Sequence, residues 1–214
     1  MYNMTIYMIR HGETDLNKVH RLQGHSDIEL NDYGRELAKI TGQALKDVGF
    51  DYAFTSPLSR AKETAKILLE SNSAKSIKDN KLDLIIDERI KEISFGEFEG
   101  LSYNDKNFTI PDKTFLNFFL KPEEYNVPKY GETFEEVMKR TGDFLKELIN
   151  NEKYANKTIL VSTHGCALKA ILANIRNTEI KDFWGKGVHK NCAVTILKIN
   201  NGEIDIDEGN IYYD

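Results

Sequence analysis

The sequence predicts an α/β fold, a three-layer sandwich in which helices flank a mostly parallel central sheet. Short apolar runs typical of buried strands alternate along the chain with amphipathic segments typical of helices. Two of these runs end in the same dipeptide, His-Gly, as expected if two parallel strands finish at one edge of a sheet. The 214 residues can bury a sizeable core, and we expect a single domain over 1–214.

The first half of the chain contains three predicted strands and two predicted helices. Apolar runs indicate the strands, and apolar residues spaced three or four apart indicate the helices. Gly49 is suited to end the first helix, and Pro57 lies near the start of the second, where a missing N–H does no harm. In chain order we expect a strand at 5–9, a helix at 34–48, a strand at 51–55, a helix at 58–69 and a strand at 82–86.

The second half continues the alternation. Thr133 and Glu136 form a capping-box pattern, which predicts that a helix begins there. The run at 158–163 predicts another buried strand, because it is almost entirely apolar or β-branched. The remaining expected elements are a helix at 133–148, a helix at 167–172, a strand at 193–199 that closes the sheet, and an edge hairpin after 202.

Residues 103–130 do not fit this alternation. Aromatic side chains crowd the segment, and three prolines interrupt it. We therefore expect a cap-like insertion that packs over the sheet within the single domain. The aromatic residues are Phe108, Phe115, Phe118, Phe119 and Tyr125, and the prolines are Pro111, Pro122 and Pro128.

Composition excludes several classes of protein. The net charge of −5, with lysines and glutamates scattered along the chain, argues against a nucleic-acid-binding protein. No apolar run approaches the roughly 20 residues of a membrane span, and the first residues lack the pattern of a signal peptide. Cys166 and Cys192 are the only cysteines, too few for a disulfide framework or a Cys-rich zinc site. We expect a cytoplasmic protein with no nucleic-acid or membrane partner, and a homodimer stays open.

Histidines follow two of the predicted strands directly. His11 follows the first strand and His164 follows the strand at 158–163, and each precedes a glycine that lets the backbone turn sharply. Ligands of α/β folds bind at the carboxyl ends of parallel strands. Arg10 adds a guanidinium group, whose forked donors match the oxygens of a phosphoryl group. Two such strand ends, one with an adjacent arginine, indicate a functional site at this edge of the sheet, and neutral imidazole is a competent nucleophile near pH 7.

Seven motifs, in this order and spacing, resemble the histidine phosphatase superfamily, also called the phosphoglycerate mutase-like family. The resemblance runs from about residue 4 to about residue 199 and implies a phosphoglycerate mutase-like fold. The motifs are RHGET at 10–14, LQG at 22–24, LNDYG at 30–34, SPLSRA at 56–61, EISFGEFEG at 92–100, GET at 131–133 and THG at 163–165.

The resemblance implies a role for each matching residue. His11 would be transiently phosphorylated, and Arg10, Arg60 and His164 would bind the phosphate. Glu92 would be the general acid for the leaving alkoxide and then the general base for water. A guanidinium clamp can stabilise the transferring group as magnesium does elsewhere, so we expect no metal and no other cofactor. Further expected phosphate-binding or pocket residues are Asn17, Gln23, Gly24 and Gly165.

The predicted activity is therefore hydrolysis of a small phosphorylated metabolite through a phosphohistidine intermediate. Two other functions stay open, a cofactor-dependent phosphoglycerate mutase and a phospho-ligand binding module without catalysis. Mutases of this family carry paired arginines in the insertion, whereas 103–130 contains lysines but no arginine. This difference favours hydrolysis and a less charged substrate. Glu88, Glu97 and Glu99 compete with Glu92 for the role of proton donor, Glu88 most strongly.

Overall fold

The computed structural model describes residues 3–72 and 82–211, with the backbone alone for 209–211. Within these residues one six-stranded sheet has the order β3-β2-β4-β1-β5-β6. The first four strands in this order are parallel, and β5 and β6 are antiparallel to their neighbours. The strands are β1 Asn3–Arg10, β2 Tyr52–Thr55, β3 Leu84–Ile86, β4 Thr158–Thr163, β5 Val194–Asn200 and β6 Glu203–Ile211.

Helices cover both faces of the sheet, so the predicted three-layer sandwich with a mostly parallel sheet is confirmed. Ala38, Ala65 and Leu68 pack on one face, and Phe144, Leu168 and Leu172 pack on the other. The described helices are α1 Asp15–Lys18, α2 Asp32–Ala44, α3 Ser59–Ser71, α4 Asn117–Leu120, α5 Phe134–Asn150 and α6 Gly165–Arg176. None of the helices in the described part of the chain is long and apolar enough to cross a bilayer.

The predicted helix boundaries hold at some positions and fail at one. The capping box at the start of α5 is present, since the Thr133 side chain accepts from the Glu136 amide and the Glu136 side chain accepts from the Thr133 amide. The prediction that Gly49 ends the preceding helix is wrong, because α2 ends at Ala44. The chain leaves the helix there and buries Leu45 and Phe50 in the core below the sheet.

The end of the chain forms the expected hairpin. β5 and β6 pair antiparallel from Asn200 and Glu203 outward. The expectation that the strand at 193–199 closes the sheet is wrong, because β6 lies outside β5 and forms the edge. Alternating acidic residues on β6 keep that edge strand charged.

The aromatic residues of 103–130 form a cluster beside the sheet. Phe118 lies at its centre and stacks on Phe134, the first residue of α5, with ring centroids 5.1 Å apart. Trp184 contacts the same ring edge-on at 5.2 Å. Cys166 and Ala170 of α6 close the cluster from below. The segment therefore packs on the starts of α5 and α6, next to the ends of the strands.

Candidate active site

Strand register brings the two histidines together. β1 and β4 are adjacent and parallel, and Arg10 is paired with Thr163. His11 and His164 are the next residues on each strand, and their ring centroids lie 5.1 Å apart. The next strand in the sheet, β2, is followed by Ser56 and by α3, on which Arg60 lies. The carboxyl edge of the sheet thus gathers the predicted residues, as parallel topology requires.

The ring of His11 is buried and held in one tautomer. Its Nδ1 lies 2.7 Å from the carbonyl oxygen of Gly12. A carbonyl oxygen only accepts hydrogen bonds, so Nδ1 carries the proton and the lone pair is on Nε2. Burial, and then the charges of Arg60 and Arg10, hold the pKa of His11 well below its usual value. The imidazole is therefore neutral near pH 7.

Two buried guanidinium groups lie near this ring. The Arg60 side chain is fully buried and donates to the carbonyl oxygens of Gly24 at 2.7 Å and Ser26 at 2.8 Å. Burial lowers its pKa to about 10, so it stays charged at neutral pH. Arg10 donates to the carbonyl oxygen of His189. In the described part of the protein, the Nε atoms of Arg10 and Arg60 are buried without a hydrogen-bond partner.

His164 is completely buried, and one of its ring nitrogens has a partner. Its Nε2 lies 2.7 Å from the hydroxyl oxygen of Ser56. Nδ1 has no partner among the described residues. Burial is the main reason that the pKa of His164 lies well below its usual value, and the charge of Arg60 adds to this effect. His164 is thus a second neutral imidazole beside His11.

The carboxylate of Glu92 lies at the N-terminus of α6. It accepts from the amides of Cys166 at 3.0 Å and Ala167 at 3.1 Å, and from the amide of Ile93 at 3.0 Å. Most of these bonds go to Oε1, whereas Oε2 is bonded to the Cys166 amide alone, at 3.1 Å. Oε2 lies 3.6 Å from where a Cβ on Gly165 would be, on the wall of the cavity described below.

The competing glutamates lie elsewhere. Glu88 points away into an exposed ion pair with Lys91, 3.3 Å long. Glu97 is exposed. Glu99 accepts from the amides of His25 and Ser26 at 2.7 and 2.5 Å, which fixes the loop that Arg60 grips. Glu92 is the carboxylate of this group that lines the cavity.

A cavity of about 150 Å³ opens above these groups. Six of the predicted site residues line it, and aromatic side chains form most of the remaining wall. Arg60 and His164 are fully buried and are not among its lining residues. The polar residues predicted from the sequence are Arg10, His11, Asn17, Gln23, Glu92 and Gly165. The sequence did not identify Arg21, Leu22, Phe95, Tyr103, Phe118, Phe119, Cys166, Trp184 and Val188 as lining residues.

Three weaker predictions have distinct outcomes. Asn17 accepts from the Thr14 amide through Oδ1 at 3.2 Å, which leaves its side-chain NH₂ group for a ligand. Gln23 accepts from the Thr14 hydroxyl at 2.6 Å, and its buried Nε2 has no partner in the described chain. Gly24 is not placed on the cavity wall. A Cβ there would lie 2.3 Å from the Ile93 carbonyl, and its own carbonyl oxygen binds Arg60.

Several residues that support the site were not identified from the sequence. Asn191 donates to the carbonyl oxygen of His11 at 2.9 Å. His25 contacts the carbonyl oxygen of Glu92 at 2.9 Å through Nε2. Arg140 donates to the same oxygen. These bonds link side chains to distant backbone atoms and leave no periodic signal. Within 3–72 and 82–211, no three His, Cys, Asp or Glu residues are grouped to hold a metal ion.

Comparisons with known proteins agree with the geometry. The model of the histidine phosphatase superfamily (branch 1) matches residues 6–211. The uncharacterized phosphatase PhoE of Bacillus subtilis (strain 168) is 34% identical over 170 residues, covering 79% of this chain and 76% of PhoE. A 2,3-bisphosphoglycerate-dependent phosphoglycerate mutase 2 of Gloeobacter violaceus is 30% identical over 170 residues, covering 79% of this chain and 74% of the mutase.

A solved structure shows the same fold. Bacillus stearothermophilus YhfR superposes with a TM-score of 0.80 at 30% sequence identity, and the match covers 95% of each chain. The family resemblance inferred from the seven motifs is thereby confirmed. The superfamily comprises phosphatases and phosphoglycerate mutase-like enzymes, which act on phosphate esters. The chain belongs to the histidine phosphatase superfamily.

Proposed function

We propose that this protein is a metal-independent phosphomonoesterase that works through a phosphohistidine on His11. The observation that carries the proposal is the tautomer of His11, which leaves Nε2 of a neutral ring unprotonated in a cavity that Arg10 and Glu92 also line. Nε2 attacks phosphorus, and the bond from phosphorus to the ester oxygen breaks. The electron pair stays on that oxygen, which takes a proton from Glu92.

The second half-reaction uses the same groups in reverse. The Glu92 carboxylate accepts a proton from water, and the water oxygen attacks phosphorus. The bond from phosphorus to Nε2 breaks, and its electron pair returns to the imidazole of His11. Since the amides of α6 point at Glu92, the carboxylate is held in place whenever it is ionised.

The phosphoryl oxygens gain their stabilisation from fixed donors. Arg10 and Arg60 each have a buried Nε–H group without a hydrogen-bond partner among the described residues. A phosphoryl oxygen would accept a hydrogen bond from each of these groups. His164 supplies a third donor in this scheme. In this scheme the Ser56 hydroxyl, 2.7 Å away, donates to Nε2, which places the proton of the neutral ring on Nδ1. Such preorganised donors usually make the largest contribution to lowering the barrier.

The aromatic wall favours an alcohol that carries little charge. Tyr103, Phe118, Phe119 and Trp184 line the same cavity as the polar groups. None of the lysines of 103–130 is among the residues that line the cavity, and Lys121 pairs with Glu124 at 3.0 Å. We accordingly propose 103–130 as a cap-like insertion of the single domain, which selects the alcohol part of a small phosphomonoester.

One observation keeps the mutase as a second candidate. The side chain of Arg21 lines the cavity and is exposed, although it donates to the carbonyl oxygen of Gly100 at 2.9 Å. It could hold a second anionic group. Conversion of 3- to 2-phosphoglycerate, primed by 2,3-bisphosphoglycerate and faster than release of inorganic phosphate, would establish the mutase.

The direct test is hydrolysis of 4-nitrophenyl phosphate in excess EDTA, with acid-labile phosphate trapped on the protein by rapid quenching. We expect wild-type activity to persist in EDTA and His11→Ala to lose both turnover and labelling. The matched control is His20→Asn, because asparagine tolerates the positive φ of 55° at His20. Activity abolished by EDTA would refute the metal-free mechanism. Full activity in His11→Ala would refute the nucleophile.

A further inference from the structure

Arg140 and Glu132 lie outside the cavity, yet both contact the segment that carries Glu92. Arg140 projects from α5, and Glu132 lies two residues before that helix begins. We infer that Arg140, held by Glu132, is the positioning residue that sets the proton-donor geometry of Glu92. The inference rests on the proposed role of Glu92 and adds how the position of its carboxylate is fixed.

All five N–H donors of the Arg140 guanidinium are engaged. Nη1 donates to the carbonyl oxygens of Arg89 at 2.8 Å and Lys91 at 2.7 Å. Nη2 donates to the carbonyl oxygen of Glu92 at 2.9 Å. The remaining donors, on Nε and Nη2, bind the two carboxylate oxygens of Glu132 at 2.9 and 3.0 Å. An arginine with every donor used has one orientation available.

Glu132 holds the other side of the same segment. Its Oε2 accepts from the amide of Ser94 at 2.9 Å, two residues after Glu92. Burial acts to raise the pKa of Glu132, but hydrogen bonds from His25 and Arg140 outweigh it and hold the pKa at about 2. The carboxylate therefore stays ionised throughout any working pH. The Arg140–Glu132 ion pair therefore binds the backbone of 89–94 on both sides of Glu92.

The segment needs such an external support. Residues 91–94 are in neither a helix nor a strand, and the backbone bonds at their two ends join the Lys91 amide to the Glu88 carbonyl oxygen at 3.3 Å and the Glu132 amide to the Ser94 carbonyl oxygen at 3.0 Å. Arg140 ties them to α5, which packs on α6. The Glu92 carboxylate is fixed to the N-terminus of that same α6. Both the backbone and the carboxylate of Glu92 are therefore attached to the packed pair of helices α5 and α6. This attachment keeps Oε2 at the cavity wall.

A positioning role and a purely structural role predict different kinetics. Proton donation matters most for poor leaving groups, so a misplaced Glu92 should slow alkyl phosphates more than nitrophenyl phosphate. General loss of stability lowers the amount of active enzyme and affects both substrates equally. The ratio of kcat/KM for propyl phosphate to kcat/KM for 4-nitrophenyl phosphate cancels the active fraction, even where a variant folds poorly.

The experiment measures this ratio in wild type, Arg140→Lys, Arg140→Met, Glu132→Gln and Glu92→Gln. The matched control is Arg176→Met, because the Arg176 guanidinium binds Glu208 at 3.0 Å and does not contact the backbone of 89–94. We expect Arg140→Met to lower the ratio about tenfold or more, within the range of general acid catalysis. Arg140→Lys should lower it less, and Arg176→Met should leave it unchanged.

The double variant Arg140→Met/Glu92→Gln tests whether Arg140 acts through Glu92, separately from whether Glu92 is the proton donor. If Arg140 acts through Glu92, the double variant should have the same ratio as Glu92→Gln. A ratio that falls in Glu92→Gln but stays at the wild-type value in Arg140→Met would overturn the positioning role alone. An unchanged ratio in Glu92→Gln, or a wild type that hydrolyses neither substrate, would overturn the proposed chemistry and this inference with it.

Discussion

Replacing Arg60 by methionine should separate the stability of this protein from its activity. Arg60 has no exposed surface, and its guanidinium spans the loop at Gly24 and Ser26 beneath the cavity. Burial lowers the pKa of Arg60 to about 10 even though Glu92, Asp27 and Glu99 act to raise it. That drop corresponds to roughly 3 kcal/mol by which the fold disfavours the charged form. The full cost is present at pH 7, where the group is fully charged.

Methionine removes this cost together with two hydrogen bonds. Each bond from a charged donor contributes about 1.5–3 kcal/mol, so the two bonds together offset the burial cost at the low end of this range and exceed it by about 3 kcal/mol at the high end. We expect the free energy of unfolding to fall by no more than about 3 kcal/mol, a change in Tm of up to about 12 °C for a chain of this size. Activity should fall far more, by about 100-fold or more in kcat, because a preorganised donor to the phosphoryl oxygens is gone.

The assay combines thermal unfolding followed by circular dichroism with turnover of 4-nitrophenyl phosphate. Arg35→Met is the matched control, since Arg35 binds Glu63 at 2.6 Å and neither residue is among those that line the cavity. A folded Arg60→Met with more than a tenth of wild-type kcat would refute the role of this guanidinium in the transition state. An unfolded variant would show instead that its bonds to the loop outweigh the cost of burying the charge.

Three further predictions follow from the site. Saturating vanadate should raise Tm by roughly 5–10 °C at about 100 times its Kd, because it supplies the missing partner of Arg10 and Arg60; an unchanged Tm would contradict this. The acid limb of kcat/KM, corrected for ionisation of the substrate, should have its midpoint below pH 6.5, because the lowered pKa keeps His11 deprotonated there; a midpoint at or above 6.5 would count against a buried, neutral nucleophile. Gly34→Ala should destabilise the protein by about 1–3 kcal/mol in urea unfolding, because its Cβ would lie 2.1 Å from the Glu13 carbonyl oxygen; wild-type stability would show that the loop yields freely.

The residues that meet at the strand ends could be predicted because each is anchored by a local signal. His11 and His164 directly follow apolar runs, and parallel strands place such residues at one edge. Their exact pairing required β1 and β4 to be adjacent, which the sequence alone does not determine. The true end of α2 could not be predicted from the sequence. The helix ends at Ala44 because the chain then buries Leu45 and Phe50 in the core, and the glycine at 49 does not determine where it stops.

Support around the site was harder to predict than the site itself. Arg140 and Asn191 act on backbone carbonyl oxygens about 50 and 180 residues away along the chain. Such bonds depend on where the backbone runs in three dimensions. They do not depend on which side chain the accepting residue has. Arg140 was not identified from the sequence, and its side chain is only 18% exposed.

Trp184 gives the protein an intrinsic optical reporter. It is the only tryptophan in the chain, so all indole fluorescence originates from one position. Its ring is 7% exposed, its Nε1 donates to the carbonyl oxygen of Phe118, and it forms part of the cavity wall. A ligand that enters the cavity, or any loosening of 103–130, changes the surroundings of this indole. Emission at a single wavelength can therefore follow ligand binding in the unlabelled protein, in real time and without turnover.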